Sequence, residues 1–115
     1  MSRVTTQSAA EITDPRLAEV LRRLIEAYRP LRIYLFGSQA RGDAGPDSDF
    51  DLLIVVPSSA PLDRRRSRLA YTVLRGTGTA ADVLVCTHEY FEERAHIRPS
   101  LPATVLREGR LLYAA

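Results

Sequence analysis

Two short stretches of this 115-residue chain have the residue types and spacing for chemistry at phosphate. The first is Phe36-Gly37-Ser38-Gln39-Ala40-Arg41-Gly42, and the second is Ser48-Asp49-Phe50-Asp51-Leu52-Leu53-Ile54-Val55-Val56. Side chains alternate between faces along a strand, so Asp49 and Asp51 should point one way and Phe50 the other. At ~3.3 Å rise per residue their Cα atoms would stand roughly 6.5 Å apart, within reach of one shared cation or two bridged ones. Gly37 lets the backbone approach a ligand with no Cβ in the way. A helical turn starting there would turn its free N–H groups toward an anion. Taken alone, a Gly-Ser turn is equally an ordinary strand-to-helix connection. The acids are harder to explain that way, because unpaired carboxylates at the mouth of a buried strand cost several kcal/mol and metal ions are the usual remedy.

A third acid, Asp82, opens the stretch Asp82-Val83-Leu84-Val85-Cys86-Thr87. If the three strands are neighbours, Asp49, Asp51 and Asp82 gather at one end of a sheet beside the Gly-Ser turn. Such a set of oxygen donors suits Mg²⁺ together with substrate phosphates. Two such ions stabilise the attacking and leaving oxygens of an in-line displacement at phosphorus, and a nearby carboxylate can take the proton of the attacking hydroxyl.

The elements that must position these residues follow from pattern. Residues 1–13 are polar and aperiodic and read as a flexible tail, leaving 14–115 as the domain. Asp14 caps and Pro15 opens a helix whose Leu17, Val20, Leu21, Leu24, Ile25 and Tyr28 form one apolar stripe, ended by Pro30. A strand over Leu31–Phe36 leads into Gly37. After the turn-rich loop 42–47, a second strand over Asp49–Val56 carries an unbroken apolar back half, which suggests a central position covered on both faces. Leu62–Arg75 reads as a helix with Leu62, Leu69, Ala70, Val73 and Leu74 inward and Gly76 at its C-cap. A third strand covers Asp82–Thr87, and Thr87 caps a helix from His88. Pro99-Ser100-Leu101-Pro102 breaks the chain before a short helix, Ala103–Glu108, and a last strand, Arg110–Tyr113.

Composition bounds the rest. The chain has 45% hydrophobic and 26% charged residues, as an ordinary single globular domain does. It shows no long apolar run or signal-peptide core, and the lone Cys86 cannot form an internal disulfide; a cytoplasmic location is the expectation. Cys86, His88 and His96 lack the further ligands of a zinc site, and Cys86 reads as a core residue. All 16 basic residues are arginine and the net charge is +2. Codon usage in a GC-rich genome is the bland source, and bidentate phosphate recognition the chemical one. The charge is too small to argue nucleic-acid binding by itself. Arg64, Arg65, Arg66 and Arg68 are a solvated face or a basic edge for phosphate or an acidic partner. No aromatic residue interrupts that run, which counts against stacking on single strands.

Taken together, Gly37-Ser38-Gln39-Ala40-Arg41-Gly42, Ser48-Asp49-Phe50-Asp51-Leu52, Asp82 and the ending Arg107-Glu108-Gly109-Arg110-Leu111-Leu112-Tyr113 resemble the polymerase-beta-like nucleotidyltransferases. Within them the chain is most similar to the small, single-domain minimal nucleotidyltransferases. The resemblance spans most of residues 14–115. It implies an α/β chain of the α+β type: a mixed, mostly antiparallel sheet with helices mainly on one face. It implies that Gly37 and Ser38 hold the phosphates of a nucleoside triphosphate, expected to be ATP. Asp49 and Asp51 would hold two Mg²⁺ ions, while Asp82 completes the metal site and helps deprotonate the acceptor. Arg41 would contact phosphate or acceptor, or else pair with Asp43 or Asp47. The implied reaction moves a nucleoside monophosphate to an acceptor and releases pyrophosphate. Larger relatives carry a separate acceptor domain, for which this chain has no room. The acceptor implied is therefore a partner, a HEPN-type RNase toxin modified with AMP on a tyrosine. The chain would then be an antitoxin in a hetero-oligomer with that toxin. The other readings are an antitoxin acting by occlusion alone, a transferase for a small molecule such as an aminoglycoside, and a nucleic-acid module built on Arg64–Arg68.

Overall fold

Near-continuous apolar runs on the strands, whose side chains alternate between faces, give this sheet two faces to bury. The computed structural model describes residues 5–6, 14–42 and 49–115. Its strands are β1 (Thr5–Thr6), β2 (Arg32–Phe36), β3 (Phe50–Val56), β4 (Ala81–Thr87) and β5 (Arg110–Ala114). Its helices are α1 (Pro15–Tyr28), α2 (Gly37–Arg41), α3 (Arg68–Val73), α4 (His88–Arg94) and α5 (Leu101–Glu108). The strands form one sheet in the order β1-β5-β2-β3-β4. β2 runs antiparallel to both β3 and β5, whereas β4 is parallel to β3 and β1 parallel to β5. The α+β fold and mixed sheet are as expected, with the pairings evenly divided between the two senses.

β3 lies between β2 and β4, and every residue from Leu52 to Val56 is buried, which is what its unbroken apolar run requires. Phe50, Leu52, Ile54 and Val56 join a larger core with Leu21 and Leu24 of α1 and Ala70 of α3. Leu53 and Val55 join a second core with Tyr34, Phe91 of α4 and Val105 of α5. The helices therefore divide between both faces, a correction to the expectation of mainly one. β3 had no polar face to leave open. The second core is fastened by the stack of Tyr34 on Phe91, with ring centroids 5.4 Å apart. Arg32 lies over Phe91 at 4.9 Å and pairs with Glu92 at 3.2 Å.

α1 matches its pattern closely. The Asp14 carboxylate accepts from the Arg16 N–H at 2.9 Å, and the helix ends at Arg29 in a left-handed conformation ahead of Pro30. The single helix expected over Leu62–Arg75 is instead a 3₁₀ turn, Leu62–Arg65, followed by α3. Tyr28 supplies the reason. Its hydroxyl donates to the Arg66 carbonyl and accepts from the Ala70 N–H, occupying an i→i−4 link that a continuous helix would have made. Arg66 is held extended as a result, and Leu62 is exposed rather than inward. Leu74, not Gly76, forms the C-cap of α3.

α5 also begins earlier than expected, at Leu101. The Ser100 hydroxyl caps it by accepting from the Ala103 N–H, and Pro102 sits in the first turn, where a missing N–H costs nothing. Gly109 makes the turn from α5 into β5. A Cβ there would meet the Val105 carbonyl oxygen at 2.6 Å and that of Leu35 at 2.8 Å. Within the segment expected as a tail, the backbone of Thr5–Thr6 pairs with Arg110 and Leu111; the other residues of 1–13 lie outside the described residues. No helix among the described residues is long and apolar enough to cross a membrane.

Candidate active site

Strand direction decides where the acids meet. β2 ends where β3 and β4 begin, so Phe36, Asp51 and Asp82 lie in one row across the sheet: Phe36 is in register with Asp51, and Asp51 with Asp82. Neighbouring strands stand about 4.8 Å apart, which brings the two carboxylates side by side on the face of the second core. The next residue after Phe36 is Gly37, the first of α2. It adopts φ +73, and a Cβ built on it would collide with the Asp51 carboxylate. Glycine is thus required here twice, by the left-handed backbone and by the acid beside it. α2 starts with Phe36 as an N-cap that offers no side-chain hydrogen bond, so its opening N–H groups have no cap acceptor from that residue.

Asp49 behaves differently from its sequence spacing. It lies immediately before β3 rather than inside it, and it is exposed. It borders a pocket of about 290 Å³ shared with Tyr71, Arg75 and Thr79. The strongest acidic coupling is therefore across the strands, not along one. Burial raises the Asp51 carboxyl above the ordinary aspartate range, and the charge of Asp82, then that of Asp49, pushes it the same way; Arg41 opposes them. All three acids and Arg41 consequently share one electrostatic site. Asp43, Asp47 and Ser48 lie outside the described residues.

The donor set fits a hard divalent cation. Its atoms are carboxylate oxygens, two of them on registered neighbours, and the like charges around half-buried Asp51 would be relieved by a positive ion. Among the described residues no three acidic, histidine or cysteine side chains form a ready-made cage. The electrostatic coupling and this absence agree once Asp49 is placed at the rim. Cys86 contributes nothing of the kind: burial pushes its thiol up to about 11, and it packs in the second core.

Tyr71 and Arg75 were not singled out from the sequence. Their i, i+4 spacing just ahead of Asp82 was the available signal, but only the folded chain brings them to Asp49. The second feature missed was the apolar pair Leu53 and Leu84, which follows Asp51 and Asp82 on the same sheet face.

The model of the nucleotidyltransferase domain family matches residues 16–112, and the chain belongs to that family. Over 84 residues it is 38% identical to the candidate protein adenylyltransferase MJ0604 of Methanocaldococcus jannaschii, covering 71% of this chain and 77% of that one. A solved structure of a candidate nucleotidyltransferase from Sulfolobus solfataricus superimposes with a TM-score of 0.57 at 20% identity, over 86% of this chain and 78% of its own. A toxin–antitoxin structure with AMP-PNP superimposes with a TM-score of 0.55 at 19% identity, over 90% of this chain and 75% of its own. At these identities the two solved structures speak for the fold, and the fold is that of a nucleotidyltransferase.

Proposed function

We propose that this chain transfers AMP from ATP to a hydroxyl of a partner protein, and that the partner is a toxin it thereby neutralises. The observation that carries the chemistry is the row of Gly37, Asp51 and Asp82 across three strand ends. The likeness to a candidate protein adenylyltransferase supports a protein acceptor, and the toxin–antitoxin neighbour supports the biological setting. A tyrosine of a HEPN-type toxin is the acceptor implied by the family resemblance, and the resulting complex would be a hetero-oligomer.

In this reading Gly37 and Ser38 hold the triphosphate and Arg41 steadies its charge. Asp49, Asp51 and Asp82 would hold Mg²⁺, which supplies positive charge against the phosphate oxygens. The acceptor oxygen attacks the α-phosphorus, the bond to the pyrophosphate oxygen breaks, and pyrophosphate leaves. The acceptor proton passes to Asp82, whose exposed carboxylate is open to solvent for its release. Half-buried Asp51 is the fixed charge around which the other groups are set.

The test is intact mass spectrometry of a HEPN-type toxin, the acceptor that the resemblance implies, incubated with the protein, ATP and Mg²⁺. The expected product is heavier by one AMP, with pyrophosphate released in equal amount. Gly37→Ala should slow the transfer by about 10²–10³-fold, the scale of losing positioned charge stabilisation. A partner neutralised without any change of mass would sink the transfer reading in favour of occlusion.

A further inference from the structure

The arginines of residues 64–68 form the one run of four within five residues in the chain, and among the described residues three of them lack the acidic partners that several other arginines have. Arg22 and Arg23 both pair with Glu19 at 2.8 Å, and Arg32 and Arg94 have acidic partners as well. The guanidinium groups of Arg64, Arg66 and Arg68 make no ion pair or hydrogen bond among the described residues. They also stand between two apolar hollows. Arg66 and Arg68 border a pocket of about 470 Å³ with Leu62, Leu69 and Asp63. Arg65 is on the rim of another of about 490 Å³, lined by Leu53, Leu84, Tyr90 and Leu101. Leu62, Leu84 and Tyr90 are 58%, 40% and 45% exposed, so three of the largest apolar side chains left in water flank one basic ridge. Isolated exposed leucines need no explanation, but apolar side chains lining two hollows on either side of unmatched charge do.

The second pocket is lined by the strand residues that follow the acids. Leu53 and Leu84 are the next registered pair on the face of Asp51 and Asp82, roughly 6.5 Å along the strands. We propose that the ridge of Arg64–Arg68 and its two flanking pockets dock the acceptor protein through an acidic, amphipathic segment. Carboxylates of that segment meet Arg66 and Arg68, its apolar side chains enter the hollows at Leu62 and Leu84, and its continuation runs onto Asp82. Charge complementarity selects the acidic partner, and the apolar hollows select protein over nucleic acid, which would leave Leu62 and Leu84 unmatched. The proposal rests on the reading of this chain as a transferase acting on a protein.

Fluorescence anisotropy tests it with the full chain and three labelled 18-residue helical peptides. These carry the same leucine pattern with glutamate, glutamine or lysine between. A single-stranded oligonucleotide forms a fourth arm. The glutamate peptide should bind about tenfold more tightly than the glutamine one at low salt, with the advantage shrinking as salt rises. Arg66→Glu/Arg68→Glu should abolish that preference, and Leu84→Ser should weaken both peptides severalfold at any salt. Circular dichroism confirms that the variants, all at exposed positions, remain folded. Equal binding of glutamate and glutamine peptides overturns the proposal, as does an oligonucleotide that outcompetes both and loses its affinity in the arginine variant. Binding of a fluorescent ATP analogue is measured in parallel. Its absence in the unmodified chain would count against the transferase reading alone, because the peptide comparison does not depend on nucleotide.

Discussion

Asp51 is held where its charge is least comfortable. Half-buried, beside Asp82 and Asp49, it binds a proton more tightly in the folded chain than its ordinary value of 3.8 implies. The folded state thus carries more protons than the unfolded one in the window above 3.8, and stability falls as pH rises through that window. Above the raised value the full cost of the ionised carboxylate is present; as pH falls toward 3.8 it disappears. Asp51→Asn should therefore raise the melting temperature by about 2–5 °C at pH 7 in metal-free buffer. The gain should vanish near pH 4, and calorimetry at the two pH values checks it. The same variant should lose transfer altogether, the usual cost of relieving a strained functional site. A melting temperature that does not respond to the substitution would show that Asp51 is not under electrostatic load.

At the level of elements, the informative unit is the join between α1 and α3. Tyr28 ends the apolar stripe of α1, and its side chain is fully buried. Its hydroxyl is the polar group that divides the 62–75 segment into a 3₁₀ turn and a helix. Arg23 reinforces the same join by donating to the carbonyls of Val73 and Arg75, each at 3.0 Å. Tyr28→Phe keeps the ring and removes both hydroxyl contacts, so urea unfolding should show a loss of about 1–2 kcal/mol. Because the Arg64–Arg68 ridge hangs on this join, its amide exchange should quicken more than that of β3. Exchange quickened uniformly over the chain would place the effect in global stability instead.

For the molecule as a whole, the sheet has two unequal edges. β4 forms one beside the acids, and the two-residue β1 covers β5 at the other. So short a strand adds little stability, yet it occupies backbone groups that would otherwise invite pairing with another chain. A chain beginning at residue 14 should therefore keep its ATP-analogue affinity within about twofold, a change of under ~0.5 kcal/mol. It should also self-associate more readily, which sedimentation velocity would report. Loss of nucleotide affinity on this truncation would mean that the N-terminal segment serves the site, not only the β5 edge.

Much of this protein was legible in order along the chain. The apolar stripe of α1, its Asp14 cap, the buried body of β3 and the Thr87 cap of α4 are local features, written in spacing and hydrogen-bonding type. So are the residues of the candidate site, since Gly37, Ser38, Asp49, Asp51 and Asp82 are recognisable by kind. What local pattern could not contain was the partner of each group. It paired Asp51 with Asp49, its neighbour in sequence, and could add Asp82 only on the condition that the strands are neighbours. The parallel register of β3 and β4 paired it with Asp82 and left Asp49 at the rim beside Tyr71 and Arg75. It drew one helix over 62–75, because no rule of periodicity includes the hydroxyl of Tyr28, 38 residues before Arg66. The sequence alone determined which chemistry is available. Only the tertiary structure decided which carboxylates share a field and which apolar hollows flank the arginines of residues 64–68, because those are matters of distance through space.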